Sequence, residues 1–142
     1  LKIRVVSSKD EISTLNQNEK IIHLAFRPSN KDIFTLVQRC QNVKAIHIPS
    51  SYIKTISGST KMFLSMQGIA LLEGDVWGHR KDISEYSEIK QSVFDRMEAL
   101  AGEGAPESRI IERLGRETRL SPDLIKFLMS EKQAKSKRAA TA

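Results

Sequence analysis

The sequence predicts an α/β protein, in which a four-stranded, mainly parallel sheet built from β-α repeats of about 24 residues precedes a helical C-terminal segment. Three observations carry this. Ile22-His23-Leu24 returns as Ile46-His47-Ile48 and again as Ala70-Leu71-Leu72, and a recurring offset of that length accommodates one strand and one return segment per unit. The intervals between the expected strands run about 12 to 20 residues, enough for a crossover and too long for a tight hairpin, so the strands should pair in parallel. Beyond Asp82 the two-residue alternation gives way to helical spacing.

The elements follow in order. Lys2 to Ser7 alternates Ile3 and Val5 with Lys2 and Arg4, as a strand with one wetter face does. The next strands are expected at Ile21 to Phe26, Lys44 to Ile48 and Ile69 to Leu72. Ser8 with Glu11 and Ser29 with Asp32 have the spacing of a helix cap answered by an acid three positions on. Ile33, Val37 and Cys40 then fall on one buried helical stripe, which makes Cys40 a core residue rather than a reactive thiol. Ser59 is read as the cap of a further helix whose Met62, Phe63 and Met66 fill the core, with Gly68 ending it.

Extending the 24-residue echo to all four strands sorts the side chains into two faces. Ile3, Val5, Ile22, Leu24, Phe26, Ile46, Ile48, Ala70 and Leu72 would form the apolar face under the helices. Arg4, His23, His47 and Leu71 would share a row on the other, where Arg4 and the histidines suit an anion, a pair of metal ligands, or a polar strip against the C-terminal helices and acids such as Glu85 or Glu88. No spacing around them completes a metal motif, so no metal is expected.

Ligands of open parallel sheets collect beyond the carboxyl ends of the strands. The loops there bring Arg27, Ser29, Ser50, Ser51, Asp75, Trp77, His79 and Arg80 together as a candidate site for a small anion. The plainer account is helix capping and turn formation, with Trp77 plugging one end of the core. No phosphate loop, dinucleotide fingerprint or nucleophile elbow is present, so no cofactor is expected and catalytic residues are unknown. Asp75 and His79 are the best acid-base candidates of an enzyme using this loop.

The segments KIRVVSSKDEI, IIHLAFRPSNKDIFTLV, KAIHIPSSY and above all LLEGDVWGHRKDI resemble an uncharacterised protein family of methanogenic archaea, over about residues 1 to 90. The resemblance implies an archaeal cytoplasmic protein with no established activity, and it transfers no catalytic residue.

Three helices are expected in the C-terminal part. Val93, Met97 and Leu100 mark the first, Pro106 opens a second with Ile110, Ile111 and Leu114, and Ser121 caps a third with Pro122 at its first position. Ile111 to Met129 resembles a helix-turn-helix, with Gly115 at the helix contact and Arg119 where the turn ordinarily has a left-handed glycine. Arg113, Arg116, Arg119 and Lys126 are then the candidate nucleic-acid contacts, although Asp123 and Glu131 weaken the second helix of the motif as a phosphate binder.

Charge and composition fit this reading without compelling it. The net charge is +6 and the pI about 9.6. Lys132, Lys135, Lys137 and Arg138 crowd into the last residues, read as a disordered basic tail. Domains are expected at 1–82 and 83–131, with the tail at 132–142. A lone Cys40 fits a reducing, cytoplasmic setting; no stretch is long and apolar enough for a membrane span, and Lys2 and Arg4 enter a strand without a signal peptide. Leu1 at the start indicates a trimmed end or a literally translated unusual start codon. The leading function is a nucleic-acid-binding or regulatory protein with an anion-sensing α/β part; the rivals are a small enzyme or ligand-binding protein and a structural interaction module, with a homodimer as a further expected partner arrangement.

Overall fold

The computed structural model describes residues 1–77 and 84–141, with side chains as far as 133. The chain divides into two compact units, Leu1–Ile89 and Lys90–Ala142. The boundary lies a few residues later than expected, because the chain makes one more strand before its helical half.

In the first unit β1 (Lys2–Val6), β2 (Ile21–Leu24), β3 (Ala45–Ile48) and β4 (Ala70–Glu73) are parallel neighbours, as the interval lengths require. A fifth strand, β5 (Tyr86–Glu88), pairs antiparallel with β1, giving the order β4-β3-β2-β1-β5. Three residues are too few to show a period, so this strand is invisible to pattern reading.

The connections differ in kind. A 3-10 helix (Lys9–Thr14) follows β1, α1 (Asn30–Arg39) follows β2, and both α2 (Ser50–Ile53) and α3 (Gly58–Met66) follow β3. Ser8 makes no side-chain cap; instead the Ser7 amide donates to the Glu11 carboxylate at 3.1 Å. At α1 the expected capping box forms in full, with the Asp32 amide donating to Ser29 Oγ at 3.1 Å and the Ser29 amide to Asp32 Oδ2 at 2.9 Å. The cap of α3 is Ser57 rather than Ser59, accepting from the Thr60 amide, and Gly68 at φ 72° stands just past its end.

These unequal connections overturn the shared register. His23 faces His47 at an offset of 24, but His47 faces Leu72 and His23 faces Val5 on the other side. Arg4 is opposite Ile22, and Leu71 opposite Ile46. The short 3-10 connection shifts β1, and the two-helix connection adds one residue before β4; a one-residue slip moves every side chain to the other face.

Arg4, Val6, Ile22, Leu24, Ile46, Ile48 and Leu71 therefore share the face beneath the helices, where Ile33, Leu36, Cys40 and Leu64 complete the core. Ile3, Val5, Ile21, His23, Ala45, His47, Ala70 and Leu72 lie on the other. Cys40 is fully buried at the end of α1, and burial pushes its thiol up to about 11, consistent with an inert core residue. Met62 and Met66 are not core filling, since they project into solvent, and Trp77 is 67% exposed rather than a plug.

The second unit holds α4 (Gln91–Gly102), α5 (Glu107–Thr118) and α6 (Pro122–Thr141). Its core is Met97, Leu100, Ile110, Leu114, Leu124, Ile125 and Leu128, the apolar stripes read from the spacing. The backbone of α6 continues as helix through the stretch expected to be a disordered tail. Ala, Lys, Gln and Arg are strong helix formers, and no proline or glycine interrupts them.

Candidate nucleic-acid interface

The turn between α5 and α6 is built by local hydrogen bonds. Arg119 ends α5 in the left-handed conformation, φ 62° and ψ 14°, as expected of the glycine position it occupies. Its amide donates to the Gly115 carbonyl at 3.0 Å. Thr118 Oγ1 accepts from the Leu120 amide at 3.2 Å, while Ser121 Oγ accepts from the Leu124 amide at 3.3 Å and so caps α6. Gly115 lies at the helix crossing, where an added Cβ would stand 3.8 Å from the Leu120 carbonyl oxygen and 3.9 Å from Ile125 Cδ1. This is ordinary contact, so alanine fits there too.

The cations divide into two sets. On α5, Arg116 pairs with Glu112 at 2.6 Å and Arg113 with Glu117 at 3.6 Å, each one helical turn away. Glu117 also receives two hydrogen bonds at 3.3 Å from Arg96 on α4, which holds its carboxyl below the usual range and ties the two helices. Arg119 and Lys126 are exposed, and neither has an ion pair among the described residues. Exposed Arg109, at the start of α5, is a third cation of this kind. Surface pairs of the Arg116–Glu112 type are worth only about 0.3–0.5 kcal/mol, so a phosphate can take the arginine from its glutamate.

The histidines form a different site. His23 and His47 are both buried, with their Nδ1 atoms 2.7 Å apart and ring centroids 4.9 Å apart. One ring must donate and the other accept, so both cannot carry the Nδ1 proton. Desolvation, reinforced by the neighbouring His23, pushes His47 down to about 3. Two nitrogens bound to one zinc at about 2.0–2.1 Å in a tetrahedron stand well over 3 Å apart, so this separation is a hydrogen bond and not a metal seat. Among the described residues no cluster of three or more His, Cys, Asp and Glu side chains is placed to hold a metal.

Arg4 is absent from that row. On the helix-covered face it pairs with Glu85 and lies 5.5 Å from the Tyr86 ring centroid, and Tyr86 donates to Glu19 Oε1 at 3.0 Å. The Arg4 Nε and Glu19 Oε2 atoms are buried without a hydrogen-bond partner among the described residues. This cluster pins β5 to the sheet. Glu85 is one of the acids the sequence offers as a partner for the polar strip, and it meets Arg4, though on the helix-covered face and away from the histidines.

The strand-end candidates are only partly brought together. Arg27 and Ser29 line an open cleft of about 710 Å³ with Lys9, Asp10, Lys31 and Asp32. Sequence reading missed the lysines, which flag themselves only as charges beside caps. Ser29 is committed to capping α1, and Arg27 lies over the Tyr52 ring at 5.7 Å. Ser50 and Ser51 open α2 outside the cleft; Asp75 and Trp77 are exposed on the segment leaving β4. His79 and Arg80 lie outside the described residues. Because the parallel strands run in the unbroken order 4-3-2-1, the sheet has no reversal of direction at which a ligand crevice opens.

The molecule thus combines an α/β unit with a helix-turn-helix unit. The comparisons with known proteins bear on both. A family of unknown function (DUF1699) matches through its N-terminal domain over residues 2–85, and through a C-terminal domain described as HTH over residues 92–130. The chain belongs to this family. No curated protein and no solved structure matches it.

Proposed function

We propose that the C-terminal unit binds double-stranded DNA, with the α5–turn–α6 corner set against the phosphate backbone and the first turns of α6 in the major groove. The observation that carries this reading is Arg119. A non-glycine residue in the left-handed conformation costs about 1 kcal/mol, and here it places an exposed guanidinium beside the start of α6. Strain of this kind gathers where a side chain serves a function. Lys126 lies one turn into α6 as the second contact, and Arg116 and Arg113 join by exchanging glutamate for phosphate. The family's HTH description supports the same class of partner. The α/β unit then acts as the regulatory or coupling part.

The test is titration of the full chain into a fluorescein-labelled, mixed-sequence duplex, followed by anisotropy from 50 to 300 mM salt. Binding should weaken steadily with salt, as counterion release requires. Arg119→Gly separates function from folding: it should stabilise the protein by about 0.5–1 kcal/mol of relieved strain, seen as a higher thermal midpoint, yet weaken binding about three- to tenfold and make the salt slope shallower by about 1. Absence of binding at 50 mM salt, or unchanged affinity in both Arg119→Gly and Lys126→Ala, would overturn the reading.

A further inference from the structure

The outer surface of α1 and α3 presents apolar side chains that the core does not use. Phe34 is 38% exposed, Met62 66% and Met66 78%. Helical spacing and one ring contact join them. Phe34 meets Phe63 edge-on at 4.7 Å between centroids, and Met62 and Met66 are one helical turn apart on α3 beside Phe63. Single exposed apolar residues are ordinary, whereas a joined patch on two neighbouring helices marks a surface meant to be covered. Methionine suits such a surface because its flexible, polarizable chain repacks around a partner.

Charge identifies what would cover it. Between Asp32 and Glu73 the sequence has no acidic residue at all, while Arg39, Lys44, Lys54 and Lys61 fall within that interval and Lys31 precedes it. Lys31 and Lys61 stand exposed on the two helices of the patch, and Asp32 is occupied by the Ser29 amide. A second copy of the same surface would set these lysines against like charges. A nucleic acid would leave the phenylalanines and methionines without apolar cover. A lipid surface would require a wider apolar face than two helices of 10 and 9 residues that also expose Thr35, Gln38, Ser59 and Ser65.

We propose that this surface, centred on Phe34, Met62, Phe63 and Met66 and edged by Lys31 and Lys61, is a docking site for an amphipathic helix of a partner protein with an acidic polar face. The partner helix lies across α1 and α3: its apolar side chains, one turn apart, pack on the Phe34–Phe63 seam and on Met62 and Met66, while its glutamates or aspartates meet the lysines. The proposal is independent of DNA binding by the other unit.

The probe is a synthetic amphipathic peptide of about 16 residues, with leucines at helical spacing and glutamates elsewhere, titrated into the full chain with labelled methionine methyls. Met62 and Met66 should shift, while Met97 and Met129, on the helical unit, should not. Met62→Ser with Met66→Ser, both exposed and so harmless to folding, should weaken binding by about tenfold or more, and Lys61→Glu should weaken it while leaving the thermal midpoint of the full chain unchanged. A scrambled peptide of the same composition binding equally well would overturn the proposal, because charge alone would then suffice. So would shifts at Met97 instead, saturable binding to vesicles containing phosphatidylserine in place of the peptide, or a concentration-dependent dimer abolished by Met66→Ser, which would assign the face to a lipid surface or a second copy.

Discussion

The two units place their charges in opposite environments. In the α/β unit Arg4, His23 and His47 are buried within the sheet, whereas Arg96, Arg113 and Arg116 of the helical unit lie on its surface and pair one turn away or across to the next helix. Buried polar groups make a fold sensitive to proton concentration, because burial penalises the charged form. Surface pairs make it sensitive to salt and only slightly so, because water and ions already screen them. The first unit should therefore respond to acid and the second to ionic strength.

The largest expected effect comes from the histidine pair. His47 is held near 3 in the folded protein against an ordinary value of 6.5. Its neutral form is favoured by folding, so the associated stability is complete above pH 6.5 and is lost as pH falls through the window down to 3. At pH 4.5 the loss should be about 2–3 kcal/mol, read as lower protection factors of the β2 and β3 amides, each taken against the unfolded-chain exchange rate at the same pH, than at pH 7.5. Replacing both histidines together with leucine should flatten this dependence. If the doubly substituted protein loses the same stability between the two pH values, the contrast between the units fails at its strongest point.

Arg4 offers a smaller and sharper test. Arg4→Met keeps much of the side-chain volume but removes the partner of Glu85, which is 62% exposed and can return to water. The cost should be about 1–2 kcal/mol, concentrated at β5, whose amides should exchange before those of β2 and β3. Uniform acceleration across the sheet would show that Arg4 supports the core rather than the edge strand.

The smallest effect is expected in the helical unit. Raising salt to 1 M, or substituting Glu117→Gln, should change the protection of α4 and α5 only slightly, through the solvent-screened Arg96–Glu117–Arg113 network. A larger loss would mean that these pairs organise the helix contact instead of decorating it. A pH dependence of the α5 protection factors matching that of β2 would also erase the distinction between the units.

Some features were legible in the chain because their causes are local. Ser29 and Asp32 specify a capping box from within four residues, and Ser121 caps α6 by the same logic. The helical stripe ending at Leu114, and the apolar residues Leu124, Ile125 and Leu128, report their burial through spacing alone. Arg119 was readable as a left-handed residue because the turn between two crossing helices leaves few alternatives. The misread methionines show the boundary of this reasoning: Met62 and Met66 are apolar, but their positions on α3 point away from Thr60 and Leu64, its buried residues.

By itself, then, the sequence determined the four parallel strands, the main helices between and after them, the caps at Ser29 and Ser121 and the left-handed turn, since periodicity and short-range hydrogen bonding act over a few residues. Only the tertiary structure decided the register that separates Arg4 from the histidines, the return of β5 to the edge beside β1, and the hydrogen bond of its Tyr86 to Glu19. Register depends on how much chain each connection consumes, 3-10 helix in one and two helices in another, and an offset of one residue inverts a strand's faces. No local pattern records that length, because it is set by packing between residues far apart in the chain.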